Sequence, residues 1–593
     1  MKFGAEILEG AVCFRLWAPK INRMSIVMND GVPVAMNRVG RDWHELVSSD
    51  AKAGTLYKFQ WEDGGRQVPD PASRYQPMDV HGPSEVVDPG NFIWTDAGWN
   101  GRLWEESVIY ELHIGTFTSQ GTFQAAIERL DWLVALGITA IEIMPVADFP
   151  GKRNWGYDGV LLFAPDSSYG RPEDFKALID AAHRKGIMVI LDVVYNHFGP
   201  DGNYMPSYSP VFTERHHTPW GAAVNYDAEG SDVVREFVIQ NALYWIEEFH
   251  LDGLRLDAVH AIKDDSIPHL LDDIVDRVRL LSVGRPVHLL LENEENQASW
   301  LDRNAGGDPI AYTAQWNDDL HHVLHCAVSQ ESSGYYEAYV GDTEKLGKAL
   351  AEGFAFQGDL MPYRGSPRGE PSSHLPPSAF VSFIQNHDQV GNRAFGDRIA
   401  SFAAARPVRA ITAIYLLLPQ IPLIFMGEEF GAEQPFPFFC DFEPELATLV
   451  RDGRRNEFAK FPEFHDPANR ERIPDPTSDQ TFRSAKLNWE RAGEGVHADW
   501  VELYRELLAI RHREIVPRLK GSQSGKYEIL GKSAVAVRWR LGDGSLLSLA
   551  ANLSHAPLTS QVATGEKLLW RIGGADNLSL APWDVIWSRG EVS

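Results

Sequence analysis

Cysteine is nearly absent: Cys13, Cys326 and Cys440 are the three thiols in 593 residues, too dispersed and odd in number for a disulfide framework or a thiolate zinc site. That scarcity points to a reducing compartment. Positive charge is also scarce, with 55 Lys and Arg against 82 Asp and Glu and a formal charge of -27. Such a surface repels phosphate backbones and anionic lipid, which argues against nucleic acid and membranes as partners. The first residues, MKFGAEILEGAVCFRLWAPK, hold no unbroken apolar stretch followed by a small-residue cleavage site; cytoplasmic residence is therefore expected.

Long apolar runs are missing too. The nearest approach, AITAIYLLLPQIPLIFM from Ala410 to Met426, is broken by Pro419, Gln420 and Pro422, and reads as a buried helix followed by a buried strand. No Gly-rich phosphate cradle occurs, since GEEFGAEQ lacks the Lys and Ser/Thr of a P-loop. His321, His322 and His325 have helical spacing but no evident third ligand, which suits a packed or sugar-facing helix better than a metal site. No cofactor and no metal are expected. The acidic pairs Asp264-Asp265 and Asp272-Asp273 read as solvated helix faces.

What is present is an ordinary globular balance, 44% hydrophobic and 23% charged, in a chain long enough for two or three domains. Its 18 Trp, 18 Tyr and 29 Phe supply flat faces on which sugar rings can pack. Residues 1–100 alternate short apolar runs with Gly, Pro, Asn and Asp, as in a small β-sandwich. Over 101–520, eight apolar runs alternate with helical periodicities. In order they are VIYELHIGTF from Val108, ITAIEIMPV from Ile138, IMVILDVVYNH from Ile187, LDGLRLDAVH from Leu251, VHLLLENEE from Val287, IAYTAQW from Ile310, AFVSFIQNHD from Ala379 and IPLIFMGEE from Ile421. Eight strand-then-helix units predict a (β/α)8 barrel. TFQAAIERLDWLVALG, RPEDFKALIDAAHRKG and SDVVREFVIQNALYWIEEF are candidate barrel helices, the second with Pro172 near N1 and the third with Ser231 as N-cap. A last helix is expected over Ala498–Arg518. Strand patterns return over 521–593, predicting a C-terminal all-β domain.

A barrel of this kind builds its site at the C-terminal strand ends, so polar residues that abruptly end apolar runs are informative. Four runs end this way: the third in Asp192, Asn196 and His197, the fourth in Arg255, Asp257 and His260, the fifth in Glu292, the seventh in Asn386, His387 and Asp388. Any one of these carboxylates, alone, reads as a helix cap or ion-pair partner. Three strands presenting carboxylates to one rim is what glycosidic cleavage needs: an acid for the leaving oxygen and a carboxylate at the anomeric carbon. Spacing leaves retention and inversion both open.

DVVYNH from Asp192, GLRLDAVH from Gly253, Glu292 in LLLENE and FIQNHD from Phe383 together resemble the four signature regions of the α-amylase superfamily of glycoside hydrolases. The resemblance spans the barrel, and GAEILEGAVCFRLWAP resembles the sandwich preceding it in branching and debranching members. It implies a retaining mechanism with Asp257 as nucleophile, Glu292 as general acid then base, and Asp388 holding the distorted sugar. It also implies that Arg255 orients the nucleophile and that Tyr157, Asp192, His197 and His387 line the sugar being cleaved. Loss of the general acid would cost roughly 10²- to 10⁴-fold in rate.

DAVHAI, AQWNDDLHHVLH from Ala314, NHDQVGNRAFGDR from Asn386 and GRRNEFAKF from Gly453 further resemble the trehalose-releasing branch of that superfamily. This implies cleavage of the α-1,4 bond next to a terminal trehalose, on a glucan prepared by a partner synthase. Recognition of an α,α-1,1 disaccharide requires hydrogen bonds that maltose would leave unpaired, and His260, Trp316, Asp318, Asp319 and Gln389 are the candidates. Each also reads as an ordinary loop or capping residue. Two departures stand out: Phe442 in FPFFCDFEPE replaces an expected His, and NEENQ follows Glu292 in place of the more usual acidic pair. A glucan branching or debranching enzyme and a non-catalytic glucan-binding protein are the competing readings.

Overall fold

In a computed structural model the eight apolar runs form one closed parallel barrel. The structure describes residues 3–61, 65–281, 283–559, 567–573 and 579–590. The strands are β1 (Ile109–Leu112), β2 (Ala140–Ile143), β3 (Met188–Val193), β4 (Gly253–Leu256), β5 (His288–Leu291), β6 (Ala314–Trp316), β7 (Phe380–Ser382) and β8 (Ile421–Phe425). Ile109 pairs with Ala140 on one side and Leu423 on the other, which closes the ring. Every residue of β1 to β8 is buried, the reason these strands read as continuous apolar runs rather than alternating ones.

The surrounding helices follow the sequence with three local differences. The TFQAAIERLDWLVALG stretch divides into Phe123–Ile127 and Leu130–Leu136, because hydrogen bonding tightens to the i−3 carbonyl at Arg129 (3.0 Å to Ala126). Pro172 does open Pro172–Arg184. Ser231, however, is the first residue of Ser231–Glu247 and not its cap; that position belongs to Gly230 at φ 80°. A Cβ there would lie 3.0 Å from Pro210 and 3.1 Å from Trp17, so the left-handed turn and the close approach both require glycine. The last helix runs Gly495–Ile510 and continues through a π turn, Arg511–Ile515. The Ala410–Met426 run is a helix, Ala405–Leu417, followed by β8.

Two antiparallel sheets over Gly4–Glu85 make the N-terminal sandwich. It docks on Ser231–Glu247 through Phe3, edge-on to Phe237 at 5.2 Å, and through Arg74, whose guanidinium lies 4.6 Å from the Phe163 and Tyr244 rings. At the other end a five-stranded antiparallel sheet spans Lys526 to Gly590. Its Trp587 donates to Ala413 O at 3.0 Å, fastening the sheet to Ala405–Leu417. The expected C-terminal segment also includes 560–566, 574–578 and 591–593, which lie outside the described residues. No helix among the described residues is long and apolar enough to cross a membrane.

Candidate active site

β3, β4 and β5 are neighbours in the barrel, so Asp192, Arg255 and Glu292 come to one rim by register alone: Asp192 pairs with Arg255 across β3 and β4. Arg255 is the hub. Its Nη1 donates to Asp192 Oδ2 at 2.6 Å and to Asp257 Oδ1 at 3.0 Å, and its Nη2 to Glu292 Oε2 at 2.7 Å. Trp316, at the end of β6, lies face-on beneath the guanidinium at 4.0 Å. A buried cation so placed offsets three carboxylates that could not otherwise sit together in a water-poor cleft.

The backbone also serves the site. Ala258 has φ 37°, a left-handed conformation rare for a residue with a Cβ. It turns its N–H onto Glu292 Oε2 at 3.0 Å. Asn196 donates to Asp257 Oδ2 at 2.8 Å, which leaves that carboxylate fixed by one donor on each oxygen. Burial and then the charge of Glu292 push the Asp257 carboxyl well above its usual range. Against burial, Arg255 and the Ala258 N–H hold Glu292 below its own. The two share one guanidinium and one proton economy, and titrate as a pair.

On the opposite wall the one-turn helix His387–Gly391 carries His387 and Asp388 inward, capped by Asn386. Tyr157 stacks on the His387 ring (5.1 Å, 24°) and donates to Asp192 at 2.6 Å, joining the two walls. Burial and the charge of Glu292, opposed by His387 and Arg255, leave the Asp388 carboxyl above its usual value, and Asn392 bonds it at 2.6 Å. His197 bonds Tyr157 O at 2.8 Å and stays neutral, with burial pulling it down to about 4.

The five residues nominated for trehalose recognition separate. Asp318 and Gln389 face each other across the cleft (3.1 Å), and burial with the charge of Glu292 raises Asp318 to about 8. Trp316 is buried under Arg255. His260 lies partly buried on the turn after β4, its Nδ1 accepting Glu294 N–H at 3.3 Å. Asp319 does not face the cleft: fully buried, it takes Arg368, Tyr339, Asn296 and the N–H groups of Ala355 and Phe356. Five donors saturate the carboxylate, so it ties the chain after β6 together and is not a sugar contact.

One further expectation changes. Asp264 is no solvated charge: it is buried against Arg235 and caps Leu270. Phe436 stacks on Trp155 (5.4 Å, 13°) and, with Phe439, is fully buried, so the segment FPFFCDFEPE that carries Phe442 begins in the core. His321 is bonded to Ile384 O and Tyr336 and His325 to Glu331, in a packed helix. Among the described residues the one group with metal-ligand proximity is His216, Asp227 and Asp265, where Arg215 already meets both carboxylates.

Three participants were not foreseen. Glu111 of β1 bonds His387; Trp220 stacks on His197 (4.5 Å, 16°) while half its surface stays open; and Glu142 of β2 is buried below Arg255 with its carboxyl raised by burial and Glu111. The two glutamates interrupt apolar strand runs, a signal available in VIYELHIGTF and ITAIEIMPV.

Residues 89–216 match the alpha amylase catalytic domain, and residues 522–587 match a domain of unknown function, DUF3459. A malto-oligosyltrehalose trehalohydrolase of Saccharolobus solfataricus is 42% identical over 86% of this chain and 87% of its own. Another, of Deinococcus radiodurans, is 41% identical over 87% of this chain and 84% of its own. A crystal structure from Salmonella typhimurium, provisionally described as an alpha amylase, superposes with TM-score 0.95 at 44% identity and covers 99% of each chain.

Proposed function

The chain belongs to the malto-oligosyltrehalose trehalohydrolase family, glycosidases of the α-amylase superfamily, and from this footing we propose that Asp257, Glu292 and Asp388 perform the cleavage. The enzyme hydrolyses the α-1,4 bond next to the terminal trehalose of maltooligosyltrehalose, releasing trehalose and a shortened maltooligosaccharide. The observation that carries the residue assignment is the Arg255 fork, which holds Asp257 and Glu292 on one guanidinium at 3.0 and 2.7 Å.

In the proposed sequence, Glu292 protonates the glycosidic oxygen as Asp257 attacks the anomeric carbon, and the trehalose end departs. Glu292 then takes a proton from water, which attacks the β-glycosyl ester and frees Asp257. The pair's shared proton must therefore lie on Glu292 when the bond breaks. Positive charge developing at the anomeric carbon beside Asp257 favours its ionised form and drives the proton there. Asp388 holds the sugar from the opposite wall, with the His387 Nε2–H and the Tyr157 face beside it. Asp318, neutral at pH 7, and Gln389 form the pair best placed to meet the leaving trehalose.

Two further elements belong to this reading. A synthase that caps α-glucan ends with trehalose must make the substrate, because an α,α-1,1 terminus does not arise from hydrolysis of starch-like chains. Cytoplasmic action is supported by three unpaired, buried cysteines. Digestion of maltooligosyltrehalose beside plain maltooligosaccharides tests the function: trehalose release supports it, and new branch points or debranched chains without trehalose contradict it.

A further inference from the structure

One buried carboxylate beside the cleavage site has no part in the sequence above. Glu111, on β1, is 1% exposed. Its Oε2 accepts the backbone N–H of His387 at 3.0 Å and its Oε1 meets His387 Nδ1 at 2.5 Å. One carboxylate thus grips one residue twice, with the short, strong geometry of a charge-assisted pair. Because Nδ1 is committed, the Nε2–H is left to face the cleft; among the described residues that nitrogen has no hydrogen-bond partner, and it is not a buried orphan.

The same grip fixes backbone. His387 starts the turn His387–Gly391, and Asp388 is the next residue. Tyr157 on one face and the edge of Trp155 at 5.5 Å leave the imidazole little freedom. Burial in such a setting would neutralise a histidine, yet the charge and hydrogen bond of Glu111 keep His387 above its ordinary value.

We propose that Glu111 is a positioning residue for the cleavage: by clamping His387 through ring and backbone it makes Nε2–H a fixed, charged donor to the sugar and sets the direction in which Asp388 enters the cleft. This rests on the rim being the cleavage site. The bland alternative is a tie between β1 and β7 with no bearing on chemistry. Charge separates the two. His387 faces Glu111 from β1, Asp192 from β3, Arg255 from β4, Glu292 from β5, Asp388 on its own turn and His113 after β1; among the described residues, only Glu111 bonds the ring.

The test is Glu111→Gln, followed by kcat and KM across pH and repeated in a His387→Asn background. The amide keeps the size and can donate to Nδ1, which leaves a neutral imidazole with its Nε2–H in place. We expect kcat to fall about ten- to a hundredfold with KM changed less than about threefold. The alkaline limb of kcat should move to lower pH, because the protonated imidazole now loses its proton sooner. In His387→Asn the same substitution should change nothing further. Glu111→Asp, which keeps the charge at shorter reach, should restore the alkaline limb while kcat stays low. Equal losses in both backgrounds, or an unmoved pH profile, would overturn the proposal. If Asp257→Ala retains full activity, the rim itself is misassigned; if Asp257→Ala is dead and Glu111→Gln is silent, the positioning role falls alone.

Discussion

Arg255 Nη2 donates to Glu292 Oε2 at 2.7 Å with the guanidinium fully buried. The same planar group reaches Asp192 and Asp257, an arrangement that only a fork of fixed donors can make. Lysine has the charge without the fork. Arg255→Lys should therefore lower kcat by about 10²-fold or more through misplacement of Asp257 and Glu292. Near-wild-type turnover in steady-state assays would show that the fork is dispensable.

Asp319 and Arg368 form a buried pair at 2.5 Å that sequence position alone made look like a substrate contact. Asp319→Ala strands the guanidinium, and removing one partner of such a pair costs about 3–5 kcal/mol. Thermal unfolding should show a large drop in Tm, while KM for maltooligosyltrehalose in the folded protein stays close to wild type. A selective rise in KM with unchanged Tm would return Asp319 to the subsite.

Glu428 follows β8 and accepts Tyr415 and Tyr504 hydroxyls at 2.5 and 2.6 Å. Burial, against those two bonds, pushes its carboxyl from 4.5 up to about 7. Between those values the folded chain holds a proton that the unfolded chain has released. Its stabilising effect is complete below 4.5 and is lost as pH rises through about 7, roughly 3 kcal/mol in all. Glu428→Gln stays neutral, so its Tm should fall less than wild type from about pH 5 to about pH 8. Parallel Tm curves for the two proteins would contradict the assignment.

Trp220 lies flat on His197 with about half its surface open, and is expected to serve as a platform for a glucose ring. Trp220→Ala should raise KM several-fold to about tenfold, the worth of one aromatic stack, with kcat changed less. Substrate titrations in which only kcat moves would rule the platform out.

The barrel was legible because strands buried on both faces leave unbroken apolar runs, and because Asp192, Asp257, Glu292 and Asp388 end such runs abruptly. The competition between burial and solvation writes that pattern into the chain directly. Long-range pairing leaves no such trace. Asp318 and Asp319 are adjacent at one helix start, yet one faces the cleft and the other meets Arg368 and the Ala355 and Phe356 N–H groups from far along the chain. Asp264 looked solvated because Arg235, its partner, lies 29 positions away. Glu111 was passed over because a polar residue inside an apolar strand run has meaning only once the turn after β7 is seen against it.

The proposed mechanism makes Asp257 the nucleophile and Glu292 the acid and base. Its most direct test is Glu292→Gln incubated with an α-glucosyl donor bearing a good leaving group, followed by intact-mass measurement and peptide mapping. With the first step freed from acid catalysis and the second deprived of its base, a glycosyl adduct should accumulate on Asp257. No adduct, together with a product of inverted anomeric configuration, would contradict the account.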